Sequence, residues 1–223
     1  MTRMETPLAH GKRLLLDAAL RLMARTHSLS SLGLRELARE AGLNPNTFYR
    51  HFASIEELGL VLIARIGEQL RTPLRQLRRE AAQRTLELER TEQLLGADLS
   101  RGRLVCRETV QLFFDFVSRN PESFIVGMRE LHGASPVLRT ALRELMADFA
   151  RDMAEDIAEF GLVPGVDDDT LLRMASTITR HLFVLAQDYL ELLHRQVDIR
   201  AEAEELIITL LAGALVLRQG DRL

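Results

Sequence analysis

The sequence predicts an all-α protein, a small N-terminal helical unit followed by a larger helical bundle. Three observations carry that expectation. Apolar residues recur at three- and four-residue spacing along most of the 223 residues. No stretch alternates strictly for four or more residues with β-branched enrichment, as a half-buried strand would. The thirteen glycines and six prolines fall mostly between the periodic stretches, where they punctuate helices. At 47% hydrophobic and 27% charged residues, the chain has material for a sizeable core and is not compositionally disordered.

Taken in order, the first helix is expected over His10 to Thr26, with Leu14, Ala18 and Leu22 beside Leu15, Ala19 and Met23 on one face. A short second helix covers Leu34 to Ala41, with Gly33 as a weak N-cap and Gly42 at its end, where glycine takes the left-handed conformation cheaply. Asn44-Pro45 restarts a helix to Phe52, Asn as N-cap and Pro at the first helical position. Ser54-Ile55-Glu56-Glu57 is a capping box opening a long fourth helix to Arg79 or beyond, with Pro73 expected to kink or break it. Residues 85–103 are polar, contain Gly96 and Gly102, and suggest a connector. Five more helical stretches follow: Leu104 to Arg119, Pro121 to Leu131, Pro136 to Phe160, and a last pair over Asp167 to Arg195 and Asp198 to Gln219. The domain boundary is expected after residue 53, with 54–81 as a connecting helix leading into a domain that ends at 223.

Several classes fall away on composition. Cys106 is the sole cysteine, which excludes an internal disulfide and a multi-cysteine metal site and suits a reducing cytoplasm. Lys12 is the sole lysine and no glycine-rich loop precedes it, so a P-loop is absent. The longest apolar run, Leu206 to Leu217, spans 12 residues, short of the roughly 18 that a membrane helix wants. The first ten residues are mixed and polar, unlike a signal peptide. His132, His181 and His194 lack metal-pair spacing, and no hydrolase, zinc-protease or dinucleotide motif occurs. The expectation is a cytoplasmic non-enzyme without a metal or cofactor.

Charge is unevenly placed. The formal net charge is −3, yet residues 1–53 carry eight basic groups against Glu5, Asp17, Glu36 and Glu40, a net of +4 beside −7 for the rest. A basic head on an acidic body favours a polyanionic partner for the head alone. Within it, Leu34 to Phe52 has the form of a helix-turn-helix, whose second helix can lie in a DNA major groove. Leu37, Ala38, Leu43, Phe48 and Phe52 are the locking positions. Arg35, Asn44, Asn46, Thr47, Tyr49, Arg50, His51 and Ser54 remain as candidate DNA contacts. Asn pairs with adenine, Thr offers a hydroxyl or a methyl to bases, and Tyr and Arg reach phosphates. The bland alternative is that Tyr49, Arg50 and His51 merely solvate a short surface helix.

Leu34 to Leu58 resembles the N-terminal domain of TetR-family transcriptional regulators, whose third helix ends in a similar aromatic and basic tetrad. Ala38-Arg39-Glu40-Ala41-Gly42, Phe48-Tyr49-Arg50-His51-Phe52, Glu57-Leu58-Gly59-Leu60 and Asn120-Pro121-Glu122-Ser123-Phe124 are similar to the fatty-acid-responsive branch of FabR and DesT type, and looser similarity runs through Met128-Arg129-Glu130 to about Met153. Two positions depart from the wider family: Ile55 stands where many members have a phosphate-binding lysine, and Asn46 where many have a small residue. The resemblance implies a repressor that binds a palindromic double-stranded DNA operator as a homodimer and takes long-chain acyl-CoA as effector.

For the body it implies an apolar ligand tunnel, for which Leu112, Phe113, Phe116, Phe124, Met128, Phe149, Met153 and Phe183 are the candidates; ordinary core is the alternative for each. Arg71, Arg75, Arg78 and Arg79 share one helical side and are either a solvated face or partners for the ligand's phosphates. Leu182, Leu185 and Tyr189, with Leu206, Leu210, Ala214 and Leu217, lie on two long apolar stripes that suggest a four-helix dimer interface. Cys106, beside Arg103 and Arg107, is either an activated thiol or a buried inert one. A repressor answering to another hydrophobic ligand, such as a drug or efflux substrate, and an all-α small-molecule binder without DNA contacts are the competing readings.

Overall fold

The computed structural model describes residues 10–26, 29, 32–84, 93–94 and 97–220. Nine helices lie in these segments: α1 (His10–Thr26), α2 (Leu34–Glu40), α3 (Pro45–Phe48), α4 (Ile55–Arg84), α5 (Leu99–Arg119), α6 (Pro121–Leu131), α7 (Pro136–Glu159), α8 (Asp168–Glu191) and α9 (Gln196–Gly220). The all-α expectation holds, apart from two-residue strands β1 (Gln93–Leu94) and β2 (Ala97–Asp98) that pair antiparallel, Gln93 opposite Asp98. The polar first residues and most of the expected connector lie outside the described segments.

Boundaries differ from expectation where a local hydrogen bond decides them. α5 starts at Leu99 rather than Leu104, because Asp98 accepts the Arg101 N–H at 3.2 Å and so caps a helix there. α3 is a single regular turn rather than eight residues; beyond it Arg50 and His51 donate to the carbonyls of Thr47 and Phe48, the tighter spacing of a closing turn. α4 is continuous through Pro73 to Arg84. Pro73 and Gln69, the residue whose carbonyl loses its helical donor, are both exposed, so water can serve that oxygen. α8 stops at Glu191, since Leu192 leaves helical geometry (φ −109°, ψ 67°) and Leu193–Arg195 form one 3₁₀ turn before α9. The end of α7 is as expected: Gly161 (φ 60°) takes the left-handed position, and the Leu162 N–H returns to the Ile157 carbonyl.

The chain divides into two compact units, residues 1–66 with 122–143 and residues 67–121 with 144–223. In the first, Leu15, Leu16, Ala19 and Met23 of α1 pack with Leu37, Phe48, Phe52, Leu58 and Leu62, and Val126 and Leu138 complete the core. Gly59 marks a close approach: a Cβ there would lie 2.6 Å from Leu29 and 2.9 Å from Leu138. Two α6 side chains also hold this unit. Arg129 donates to the Ala24 carbonyl at the end of α1 (2.9 Å), and buried Glu130 accepts the Leu29 N–H at 2.6 Å across 101 positions of sequence.

In the second unit α5, α8 and α9 pack around Val110, Phe114, Val117, Ile178, Leu182, Ala203, Ile207 and Leu211, all buried. Arg200 donates to Asp115 (2.9 Å) and to the Tyr189 hydroxyl (2.8 Å), with its guanidinium 5.4 Å from the Tyr189 ring centroid, pinning α9 to both other helices.

Candidate nucleic-acid interface

The candidate DNA-contacting segment is built from three local rules acting in succession. Gly42 (φ 68°) ends α2, with Gly42 N–H on the Arg39 carbonyl and Leu43 N–H on the Ala38 carbonyl, a Schellman closure. Asn44 then accepts the Asn46 N–H at 2.9 Å and Pro45 supplies the first helical φ, so α3 starts two residues after α2 has closed. Ser54 Oγ accepts the Glu57 N–H (3.0 Å), while Glu57 reaches back to the Ala53 N–H (2.5 Å) and fixes the entry to α4. Phe48 and Phe52, 1% and 2% exposed, anchor α3 from below. Lys12 of α1 lies 5.3 Å from the Phe52 ring centroid.

With those anchors inside, Arg35, Asn44, Asn46, Tyr49, Arg50 and Ser54 are exposed, and Thr47 and His51 half-buried. Tyr49 is 65% exposed, its ring edge-on to Phe48. His51 is placed less freely. A Cβ on Gly11 would come within 2.8 Å of its Nε2, so glycine in α1 is what lets the imidazole lie against that helix. The Asn44 carbonyl oxygen and the Ser54 oxygen are occupied as caps, leaving the amide nitrogen and the hydroxyl proton to donate outward. Arg35 and Arg50 have no carboxylate partner among the described residues. Arg21 and Arg25, by contrast, both pair with Glu40 at 2.9 Å and tie α2 to α1. The hydrogen bond from Arg21, aided by the positive charge of Arg25, holds the Glu40 carboxyl below its usual range against a smaller desolvation effect.

The expected ligand set divides between the units. Phe124 (buried) and Met128 (half-buried) belong to the first, and Leu112, Phe113, Phe116, Phe149, Met153 and Phe183 to the second. There Phe183 of α8 packs against Phe113 of α5 and Phe149 of α7, with ring centroids 6.0 and 5.9 Å apart. A cavity of about 400 Å³ lies elsewhere, between α5 and α9, bordered by Arg103, Cys106, Arg107, Glu204, Glu205 and Thr209. Ala201 and Ile208 complete a mixed lining, in which four charged side chains sit beside apolar ones. Cys106 within it is an inert thiol rather than an activated one. Burial pushes it up to about 12, Glu204 adds to the effect, and Arg107 and Arg103 do not offset it.

The arginine row of α4 is paired with acids of α7, buried at Arg78 and solvent-facing at Arg79. Arg71 bonds Asp148 and Asp152 (2.8 Å each), Arg75 bonds Asp152 and Glu155 (3.1 and 2.9 Å), and Arg78 bonds Asp156 at 2.6 Å. Arg79 stands 3.7 Å from Glu159. The signal was present in the sequence: Asp148, Asp152 and Asp156 step by four on α7, as Arg71, Arg75 and Arg79 do on α4. The Glu130 and Arg129 contacts had no comparable signal, because their partners are backbone groups.

The expected dimer residues also separate. Leu182, Leu185 and Tyr189 are 3–4% exposed within the single chain and belong to the bundle's own core, a correction forced by their packing against α5 and α9. Leu206, Leu210 and Ala214 are half-exposed and Leu217 is 75% exposed, on a stripe of α9 next to the buried one of Ala203, Ile207, Leu211 and Leu215. Val184 (50%) and Val216 (55%) add exposed apolar surface. His132 and His194 are exposed, and His181 stands 3.8 Å from Glu202. Among the described residues no cluster of His, Cys, Asp and Glu could hold a metal, and no helix is long and apolar enough to cross a membrane.

Residues 15–60 match the family model described as bacterial regulatory proteins, tetR family. The whole chain has the fold of solved regulators. The fatty acid degradation regulator FadR from Bacillus halodurans is similar with a TM-score of 0.64 at 17% identity, over 95% of this chain and 98% of that one. A tetR-family transcriptional regulator from Streptomyces coelicolor gives 0.61 at 16% identity, over 96% and 89%. The regulator FadR from Bacillus subtilis, solved in complex with stearoyl-CoA, gives 0.59 at 15% identity, over 90% and 98%.

Proposed function

We propose that this chain, which carries a TetR-type DNA-binding head and has the fold of regulators rather than of enzymes, is a homodimeric repressor whose grip on a palindromic operator is set by a long-chain acyl-CoA. The observation that carries the DNA half is the face of α3 and its flanks: Asn46, Thr47, Tyr49 and Arg50 stand outward on a helix held by Phe48 and Phe52, with Arg35 and Arg50 free of carboxylates among the described residues. Tyr49, Arg35 and Arg50 position the head on phosphates, and Asn46 and Thr47 read base edges. Two heads related by a two-fold axis then meet half-sites about 34–36 Å apart, or a multiple of that. The second copy docks on the exposed apolar stripe of α9 with Val184 of α8.

The effector half rests on the apolar layer of Phe113, Phe149 and Phe183, and on the likeness to a regulator crystallised with stearoyl-CoA. A saturated chain and a cis-unsaturated one cannot fill one closely packed layer identically. α4 starts at the reader and ends in the Arg–Asp ladder, so a repacking of the bundle has a covalent route to the head. The bias needed is about 1–3 kcal/mol, or 5–150-fold in DNA affinity. The test is operator affinity measured with saturating palmitoyl-CoA and with saturating palmitoleoyl-CoA. The expected result is opposite or clearly unequal shifts. Equal shifts from the two, or none from either, overturn the fatty-acid reading and leave the DNA-binding one standing. A hydrophobic drug that shifts affinity where both thioesters fail would move this chain to the efflux-type reading.

A further inference from the structure

Three helical hydroxyls return to the carbonyl one turn back: Thr109 to Val105 (2.6 Å), Ser118 to Phe114 (2.9 Å) and Thr177 to Arg173 (3.0 Å). Thr179 of α8 does not. It is 3% exposed, and its Oγ1 has no hydrogen-bond partner among the described residues. A buried hydroxyl left unpaired is destabilising, and native interiors rarely tolerate one without a purpose. Its position is specific. Phe183, one turn further along α8, is the ring that touches both Phe113 and Phe149. Phe113 and Phe114 of α5 meet Phe183 and Tyr189 of α8 with ring centroids 6.0 and 4.7 Å apart, so α5 flanks this stretch of α8. The Thr109 hydroxyl is already committed to its own helix. Thr179 thus carries an unpaired hydroxyl one turn from the ring that joins the aromatic layer, among the described residues.

We infer that Thr179 is the polar reader of the ligand site in the bundle, donating a hydrogen bond to the carbonyl oxygen of a ligand whose hydrocarbon chain lies in the Phe113–Phe149–Phe183 layer. This rests on the acyl-ligand reading above. An acyl chain has a carbonyl oxygen at the end of its hydrocarbon, which is an acceptor, and the unpaired Thr179 hydroxyl has a proton to donate to it. A ligand lacking that oxygen leaves the hydroxyl buried and unpaired, which is the kind of penalty that sets strong discrimination between close analogues.

The experiment compares palmitoyl-CoA with S-hexadecyl-CoA, its thioether analogue without the carbonyl, on the full-length wild type and on Thr179→Val and Thr179→Ser, by calorimetry. Wild type is expected to bind the thioester at least about tenfold more tightly, in line with a hydrogen bond made only there. Thr179→Val, equal in shape, should bind both alike and melt above wild type when free of ligand, because the unpaired hydroxyl is gone; Thr179→Ser should restore the preference. Equal binding of the two analogues by wild type, or a preference that survives Thr179→Val, overturns the assignment while leaving the acyl-ligand reading intact. Binding of neither analogue to wild type overturns both.

Discussion

Arginine does opposite work in the two units. On the head, Arg35 and Arg50 face solvent with no carboxylate beside them, while on the second half of α4 each arginine of the row 71, 75, 78 and 79 meets an acid of α7. The same side chain is thus left available for phosphate in one place and consumed in the fold in the other. Composition cannot separate these uses; only the partner can. The net charge of +4 over the first 53 residues is a usable field because the acids around it are few. Glu40 takes two arginines to itself at one end of α2 and leaves the α3 side bare. The ladder, by contrast, cancels locally and offers an anion nothing.

Burial makes the second use far more demanding, and the sharpest break of the comparison is at Asp156. Arg78 and Asp156 are 6% and 1% exposed and meet at 2.6 Å, and burial pulls the Arg78 guanidinium below its usual value even though Asp156 opposes that. Asp156→Ala leaves the guanidinium buried and unpaired, so chemical denaturation should show a loss of about 3–5 kcal/mol. Arg78→Met with Asp156→Leu removes both charges and should recover most of it or exceed wild type. If the single variant costs under 1 kcal/mol, the ladder is a surface decoration. Arg50→Ala on the head should leave the same denaturation curve nearly unmoved.

A second test sharpens the contrast on the apolar side. The stripes on α8 and α9 looked alike in the sequence, yet the bundle buries Leu182, Leu185 and Tyr189 and leaves Leu217 75% exposed. Leu217→Glu should therefore spare the protomer's fold and cost only assembly. An unpaired carboxylate in a dimer core weakens association by several kcal/mol, a hundredfold or more in dissociation constant. Light scattering should report a monomer at micromolar concentration, with circular dichroism unchanged. A variant that remains dimeric would place the interface off this stripe.

How far the sequence could be read follows the same division. Helix periodicity, the Gly42 stop, the Asn44-Pro45 start and the Ser54 box were legible because each is a local rule about backbone hydrogen bonds, and the structure keeps all four. The length of α3 was not, since whether Tyr49 to His51 continue a helix or close a turn depends on how Phe52 reaches the core beneath. The face of α8 was not either, because an apolar stripe announces burial without saying whether its own chain or a copy supplies the cover. Charge stripes on α4 and α7 could have been matched, but neither shows its partner alone. Thr179 is the extreme case: its spacing from Ala175 and Leu182 places it on the buried stripe, as Thr177 is not, but nothing in the sequence says that its hydroxyl finds no partner there.

The smallest expected effect tests the head most cleanly. Tyr49 stands 65% exposed, its hydroxyl bonded to nothing among the described residues and its ring edge-on to Phe48 at 5.5 Å. Tyr49→Phe keeps the ring and that contact, so the melting temperature should not move. If the hydroxyl meets a phosphate, its loss removes one neutral hydrogen bond, about 0.5–1.5 kcal/mol, or two- to tenfold in DNA affinity. Because a phosphate carries no sequence information, operator and random duplex should weaken by the same factor. The hydroxyl is uncharged, so the slope of log affinity against log salt should stay as in wild type, whereas Arg50→Ala should lower it by about one. Thr47→Val should behave differently from both, weakening the operator more than random duplex, because a base edge is read and not a backbone. Fluorescence anisotropy at three salt concentrations with the two duplexes separates these outcomes. A Tyr49→Phe loss confined to the operator would make Tyr49 a base reader, and a Thr47→Val loss equal on both duplexes would take α3 out of the groove.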